Sequence, residues 1–439
     1  GTGSYNTFVG FRCADANTSG QYNTAVGIHA LGGNSTGSDN VAIGDYALYN
    51  NTTASNNTAV GSDALIANTT GTTNTAVGAT ALDANTTGIR NVAVGYAALG
   101  ASTEGDENTA VGNFAGDANT TGSRNVAVGY ASLSANTTAS NNVAVGYATL
   151  NANTTGTSNT AVGDQSMLSC TTGNNNTAFG RRSLDAMTTG SENTAVGERS
   201  LSALTTGSDN AMVGYLSGDA ITDGINNSGC GSGALGNLTT GDYNSALGYL
   251  AGVSATDANR NVYIGQEAGT SHTTGLGGVY IGMFSAASAG GNNYEIVIGY
   301  STTGKGTQTG YINPVGGGVY QGNNSSSWST TSDERIKKNI EDNTTGLDAI
   351  KQIRVRNFEY RTEEEITDFE NPKAAVVEKE GKQLGVIAQE IQTILPDMVK
   401  TESTGVMTVD PDNLTWYLVN AVKELSAKVE ELESKLNGE

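Results

Sequence analysis

Ser332 and Lys337 stand five residues apart in the stretch TTSDERIKKNI, residues 330–340. A serine hydroxyl needs a base before it can attack a carbonyl. From residue 332 onward the chain holds no histidine; His29 and His272, the chain's two, lie upstream. A Ser-His-Asp triad therefore cannot be drawn from this segment. A Ser-Lys pair can, provided the amine is neutral. Burial, and the nearby charges of Arg335 and Lys338, would lower its pKa. The spacing sets a further condition. In a straight strand the two side chains face opposite ways, and on a helix they stand roughly 140° apart. A turn, or Lys337 from a neighbouring chain, must bring them together, and the second arrangement would tie the chemistry to correct assembly.

Other chemistries find little footing. Cys13, Cys170 and Cys230 lie far apart, an odd and sparse set that makes neither a disulfide framework nor a metal site, and reads as small fillers. The repeated Asn-Thr-Thr turns generate Asn-X-Thr sequons as a by-product of composition. No Gly-Gly-X-Gly-X-Asp pattern of a calcium-binding roll recurs, so neither metal nor cofactor is expected. A glycosidase needs two carboxylates facing one cleft. Acids are scarce at recurrent positions and no insertion offers a cleft, which argues against glycan cleavage.

The formal charge of −21 disfavours nucleic acid and anionic lipid as partners. No run approaches 18 apolar residues, so no membrane insertion is expected. The sequence begins at Gly1 with neither Met nor a signal peptide. It reads as a fragment or mature form whose upstream anchor segment is missing.

The elements that must position Ser332 and Lys337 fall into two parts. Upstream, the string Asn-Thr-Ala-Val-Gly recurs with small changes. Its glycines fall at 10, 27, 44 and onward to 299, eighteen in all, each 17 residues from the next and without an insertion. A degenerate nineteenth unit ends at Gly316. A typical unit is NTAVGSDALIANTTGTT, residues 57–73. Alternation before the glycine signals a strand, Ala64-Leu65 supplies a second apolar point, and Asn-Thr-Thr-Gly is turn sequence. Each unit therefore reads as two short strands and two turns.

One unit cannot bury its own apolar face, whereas stacked units can, which is the logic of a solenoid. Stacking would set Asn and Thr into hydrogen-bonded ladders and Val and Leu into a thin apolar strip. With coils about 4.8 Å apart, the rod would be on the order of 85 Å long. Ala on the strand face opposite Val suits close approach of another chain, and a homotrimer about the rod axis is expected. Fold class is thus mainly β: a homotrimeric parallel β-roll or β-solenoid of 17-residue coils, then a small α+β domain ending in a coiled-coil helix. The assigned segments are solenoid 1–316, linker 317–331 and C-terminal domain 332–439.

Composition changes sharply at the seam. Residues 1–331 hold 8 Lys+Arg and 20 Asp+Glu, residues 332–439 hold 14 and 23. In the C-terminal part TGLDAIKQI (345–353) suits a helix and RVRNFEYR (354–361) a strand, followed by an acidic loop at 362–382. LGVIAQEIQTILPDMV (384–399) suits a strand turning into a helix that stops at Pro396. VKTESTGVMTVD suits a hairpin around Thr404-Gly405. Leu418, Val422, Leu425, Val429, Leu432 and Leu436 then follow at spacings of 4, 3, 4, 3, 4, a coiled-coil seam of about three heptads.

The repeats, DNVAIGDYAL (39–48) above all, resemble the Asn-Ser-Val-Ala-Ile-Gly head repeats of trimeric autotransporter adhesins, which form left-handed parallel β-rolls packed in threes from a shorter unit. SDERIKKNI, LDAIKQIRVRNFEYR, GVIAQEI…LPDMV and VDPDNLTWYLVNAVKEL occur in that order over residues 332–439. Together they resemble the C-terminal intramolecular chaperone domain of phage tail spikes and fibres, the endosialidase type, with a relative in the myelin regulatory factor. Pro411 departs from that pattern, where an aromatic often follows Val-Asp. The resemblance implies a domain that trimerises, helps the upstream fibre fold and then cuts itself off. It maps the nucleophile to Ser332 and the lysine base to Lys337, with Asp333, Arg335 and Asn339 at neighbouring motif positions. The implied protein is a structural virion tail fibre for attachment to a host cell-surface receptor, a glycan or surface protein. Its self-cleaving serine peptidase would act once rather than turn over. The alternative is a bacterial trimeric surface adhesin with the same tail, displayed at the cell surface.

Overall fold

Each 17-residue unit closes into one coil and hands the same edge to the next. The computed structural model describes residues 3–314, 319–322, 334–367, 377, 379–401 and 405–438. In the first eighteen coils a three-residue strand recurs from β1 (Thr7–Val9) to β18 (Ile296–Ile298), every neighbouring pair parallel and in register. In β4 (Thr58–Val60), for example, Thr58, Ala59 and Val60 pair with Thr75, Ala76 and Val77. The fold is a β-solenoid, as the uniform spacing predicts.

Two details differ from the sequence reading. First, each coil has one strand, not two. The Ala-Leu point lies in a turn, with Leu65 at φ 53° and Asp63 at φ 60°. Asp63 N–H donates to Asp45 O of the preceding coil (2.9 Å), while Leu65 N–H donates to Ala81 O of the following coil (3.0 Å). Donors that point alternately up and down the stack make no extended ladder. Left-handed backbone costs a non-glycine residue about 1–2 kcal/mol, and burying a leucine side chain returns about 1.5–3 kcal/mol. Leu65 is fully buried.

Second, the strand faces are reversed. Ala25, Ala42, Ala59 and Ala76 point inward and are fully buried, whereas Val26, Ile43 and Val77 point outward, 37–40% exposed. A coil this short must fit the strand's inner residue against Ala64, Leu65 and two asparagines of the same layer, and a methyl fills that space. The glycine after each strand is forced by the same closeness. Gly61 has φ 137°, and a Cβ there would lie 2.4 Å from Gly78 O.

The polar ladders form as expected. Asn57 Nδ2–H donates to Gly71 O (2.9 Å), and its Oδ1 accepts Asn74 N–H (2.9 Å). On the second ladder Asn68 Nδ2–H donates both to Asn51 Oδ1 (3.1 Å) and to Gly71 O (3.0 Å). Thr69 Oγ1–H bonds to Thr86 O at 3.0 Å. After Asn153 the second ladder gives way to Cys170, Met187, Leu204, Ile221 and Leu238, all buried, so that this position becomes apolar while the first ladder continues to Asn261. The last coils close on buried Tyr263, His272, Tyr280 and Glu295. β19 (Thr309–Ile312) then pairs parallel with β18 after a shorter step, Ile296 against Gly310, and β20 (Val319–Gly322) turns back antiparallel to β19. The expected end of this unit, Gly316, lies outside the described residues, and 319–322 belong to this sheet rather than to irregular chain.

The chain divides into two compact units, Gly1–Thr331 and Ser332–Glu439. The second contains α1 (Leu347–Gln352), an antiparallel pair β21 (Arg356–Phe358) and β22 (Gln383–Gly385), α2 (Ala388–Ile394), the hairpin β23 (Val399–Thr401) and β24 (Met407–Val409), and α3 (Leu414–Asn437). These follow the sequence expectations closely. α2 stops before Pro396, and the hairpin turns through Gly405 at φ 82°; Thr404 lies outside the described residues. Ile391, Leu395, Met398 and Tyr417 form the unit's small core, with Ile350, Val386 and Leu414 packed on it.

Candidate functional site

The residues around the seam form a turn. Glu334–Ile336 is a single 3-10 turn, closed by Lys337 N–H donating to Glu334 O at 3.0 Å. At three residues per turn it is wound more tightly than an α-helix. Arg335 lies within the turn, and Asn339 holds left-handed backbone at φ 56° just beyond it. Ser332 and Asp333 lie outside the described residues. Lys337 is exposed on this single chain, and so are its apolar neighbours Ile336 and Ile340, at 69% and 66%. The burial that a neutral amine needs is therefore not supplied by the described residues of its own chain.

The rest of the unit is organised around α3, which carries two stripes. One faces inward. Tyr417 and Ala421 are buried, and the Tyr417 hydroxyl donates to Asp397 Oδ2, which also accepts from Asn413 Nδ2 at 3.0 Å. That bond holds the Tyr417 proton, and its pKa is pushed up to about 12. Glu424 reaches across to the open N-terminus of α1, where its Oε2 accepts Leu347 N–H at 3.0 Å, so the carboxylate takes the place of a local cap. Asn420 Nδ2 binds Asn343 O and Thr345 O at 2.9 and 3.1 Å. Elsewhere Arg356 grips Glu390 at 2.6 Å, tying β21 to α2, and Lys400 pairs with Asp410 at 2.9 Å across the hairpin base.

The other stripe faces out. Leu418, Val422, Leu425, Val429, Leu432 and Leu436 are each between 43% and 86% exposed. The spacing 417, 421, 424 is the same as 418, 422, 425 shifted by one residue, about 100° around the helix. Sequence reading found the outer stripe and missed the inner one, where a small alanine and the charged Glu424 break the row of large apolar residues. No helix among the described residues is long and apolar enough to cross a membrane.

Residues 332–400 match the family described as chaperone of endosialidase. No curated protein gives a significant match to the chain, and no solved structure does. The 17-residue coils fit the repeats of tail fibres and spikes, and with a segment similar to the chaperone-of-endosialidase family behind them they suggest a fibre-like protein with a C-terminal chaperone. The family occurs in phage tail proteins and implies trimerisation of the chain that carries it.

Proposed function

We propose that the chain is an extracellular virion tail fibre whose rod presents a surface for host attachment, joined to a C-terminal domain, 332–439, that trimerises it and guides its folding. The observation that carries this is the outer stripe of α3. Six apolar residues at heptad spacing stand in water, beside an inner stripe that already holds the helix on its own unit. A helix whose inner face is satisfied has no use within its own chain for a second seam, and three such helices bury it mutually.

The seam turn is then the site of a single self-cleavage, with Ser332 as nucleophile, Lys337 as base, and Asp333, Arg335 and Asn339 shaping the turn. Support comes from the family match, which begins at Ser332, and from the exposed isoleucines beside Lys337. Packing of Ile336 and Ile340 against a neighbouring chain would desolvate the amine and favour its neutral form. Cleavage would thus wait for the trimer.

Intact mass and light scattering on the wild type and on Ser332→Ala test both parts together. The expected wild type is a trimer whose chains have lost the C-terminal residues from the seam onward, and Ser332→Ala is a trimer of full-length chains. A wild type that is trimeric and whole would remove the cleavage and leave the folding role in place.

A further inference from the structure

The outer face of the coil strands is uncharged along the whole rod. It consists of two rows, the first and third residues of each strand, such as Thr75 and Val77 or Val92 and Val94. From β1 to β18 every residue in these rows is Thr, Ser, Ala, Val, Ile, Leu, Phe or Cys. The chain as a whole carries −21. Acidic copies would meet along such a strip with the least repulsion.

The third-residue row is also apolar and open. Ile43 is 40% exposed, Phe179 56%, Val213 41% and Leu247 54%. Register stacks these side chains coil upon coil, and between Val213 and Ile264 they line a shallow groove with Cys230 and Leu247. One strand wide and eighteen coils long, the strip measures on the order of 85 by 10 Å, roughly 800 Å². That is about one partner's share of a stable interface. An occupant must offer uncharged rungs at the same ~4.8 Å repeat over the same length, and another copy of this chain does.

We propose that this strip is the surface along which copies of the rod pack, row against row at the same coil. The proposal rests on the trimer reading above and adds which face of the coil is used. The alanine face, which the sequence alone suggests for this role, is consumed by the coil's own interior. Three such strips turned inward bring together three uncharged faces, each with a continuous apolar third-residue row, between coils that are already filled.

Cys230 reports on the arrangement. It is exposed and lies in the third-residue row, whereas Cys170 is buried and the Cys13 Sγ–H donates to Ala25 O. Copies in register set Cys230 against Cys230; a slip of one coil sets it against Val213 or Leu247.

The test treats the full chain with a short bismaleimide, reads covalent joining on a denaturing gel and follows oligomer size by light scattering. Wild-type chains should be joined covalently, and Cys230→Ser should abolish the joining. Val111→Cys in the Cys230→Ser chain should restore it, since Val111 lies in the same row. Thr70→Cys in the Cys230→Ser chain should not, because Thr70 is exposed in a turn off the strip. Trimers that are joined at neither Cys230 nor Val111→Cys would overturn the strip and leave the trimer standing. Monomers by light scattering would overturn the trimer reading, and this proposal with it.

Discussion

Ser102 shows how strictly the ladder works at the scale of one residue. It stands where the flanking coils have Asn85 and Asn119, and both Asn85 Oδ1 and Ser102 Oγ are buried without a hydrogen-bond partner. The same orphan recurs at Asn153 Oδ1, where the next coil supplies Cys170 instead. Ser102→Asn would give Asn85 Oδ1 its donor and would itself accept from Asn119 Nδ2, as each asparagine does elsewhere on the ladder. Repairing such a break is expected to stabilise by about 1–2 kcal/mol, read as a higher denaturant midpoint for the rod. An unchanged or lower midpoint would show that the ladder is not additive at this position. Residue identity also explains what sequence reading found and missed. Asparagine and glycine at fixed positions announce ladders and tight turns. A leucine at φ 53° announces nothing, because leucine rarely adopts left-handed backbone and only the neighbouring coils make it worthwhile here.

Among the elements, α3 carries the most consequence. Its inner stripe belongs to its own unit and its outer stripe is free in the single chain. Leu425→Asp with Leu432→Asp should therefore convert trimers to monomers, by sedimentation, while the unit keeps its thermal transition. Ala421→Asp, which buries a charge against α1, should abolish that transition as well. If the outer double variant unfolded the unit as thoroughly as Ala421→Asp, the two stripes would not be separable. The C-terminal elements were legible because helix, strand and hairpin signals there are local, from the Pro396 stop to the Gly405 turn. The coil was only half legible. A strand of three residues has too little alternation to say which face is inside, and the sizes of the partners across the coil decide it. For the candidate site, the sequence supplied the residue pair and the demand for a turn; a 3-10 turn lies at Glu334–Ile336, while Ser332 lies outside the described residues.

At the scale of the whole molecule, uniformity creates a problem that the C-terminal unit would solve. Eighteen similar coils in three chains can pair correctly or displaced by 17 residues at little local cost, and parallel non-local pairing is slow and leaves edges open meanwhile. Clamping the chains at one end removes the ambiguity, and slow unfolding would keep the finished rod intact after the clamp is gone. A chain lacking 332–439 is expected to aggregate or to form mixed registers, seen as heterogeneous scattering and as loss of uniform Cys230 joining. Homogeneous trimers from that truncation would count against the chaperone role. The absence of any insertion has one more effect. Removing residues 58–74 would join Asn57 to Thr75, a junction no different in kind from Asn74 to Thr75. Whole repeats can thus be lost or gained without a scar, and the length of the rod can change in increments of about 4.8 Å, set by copy number rather than by any single side chain.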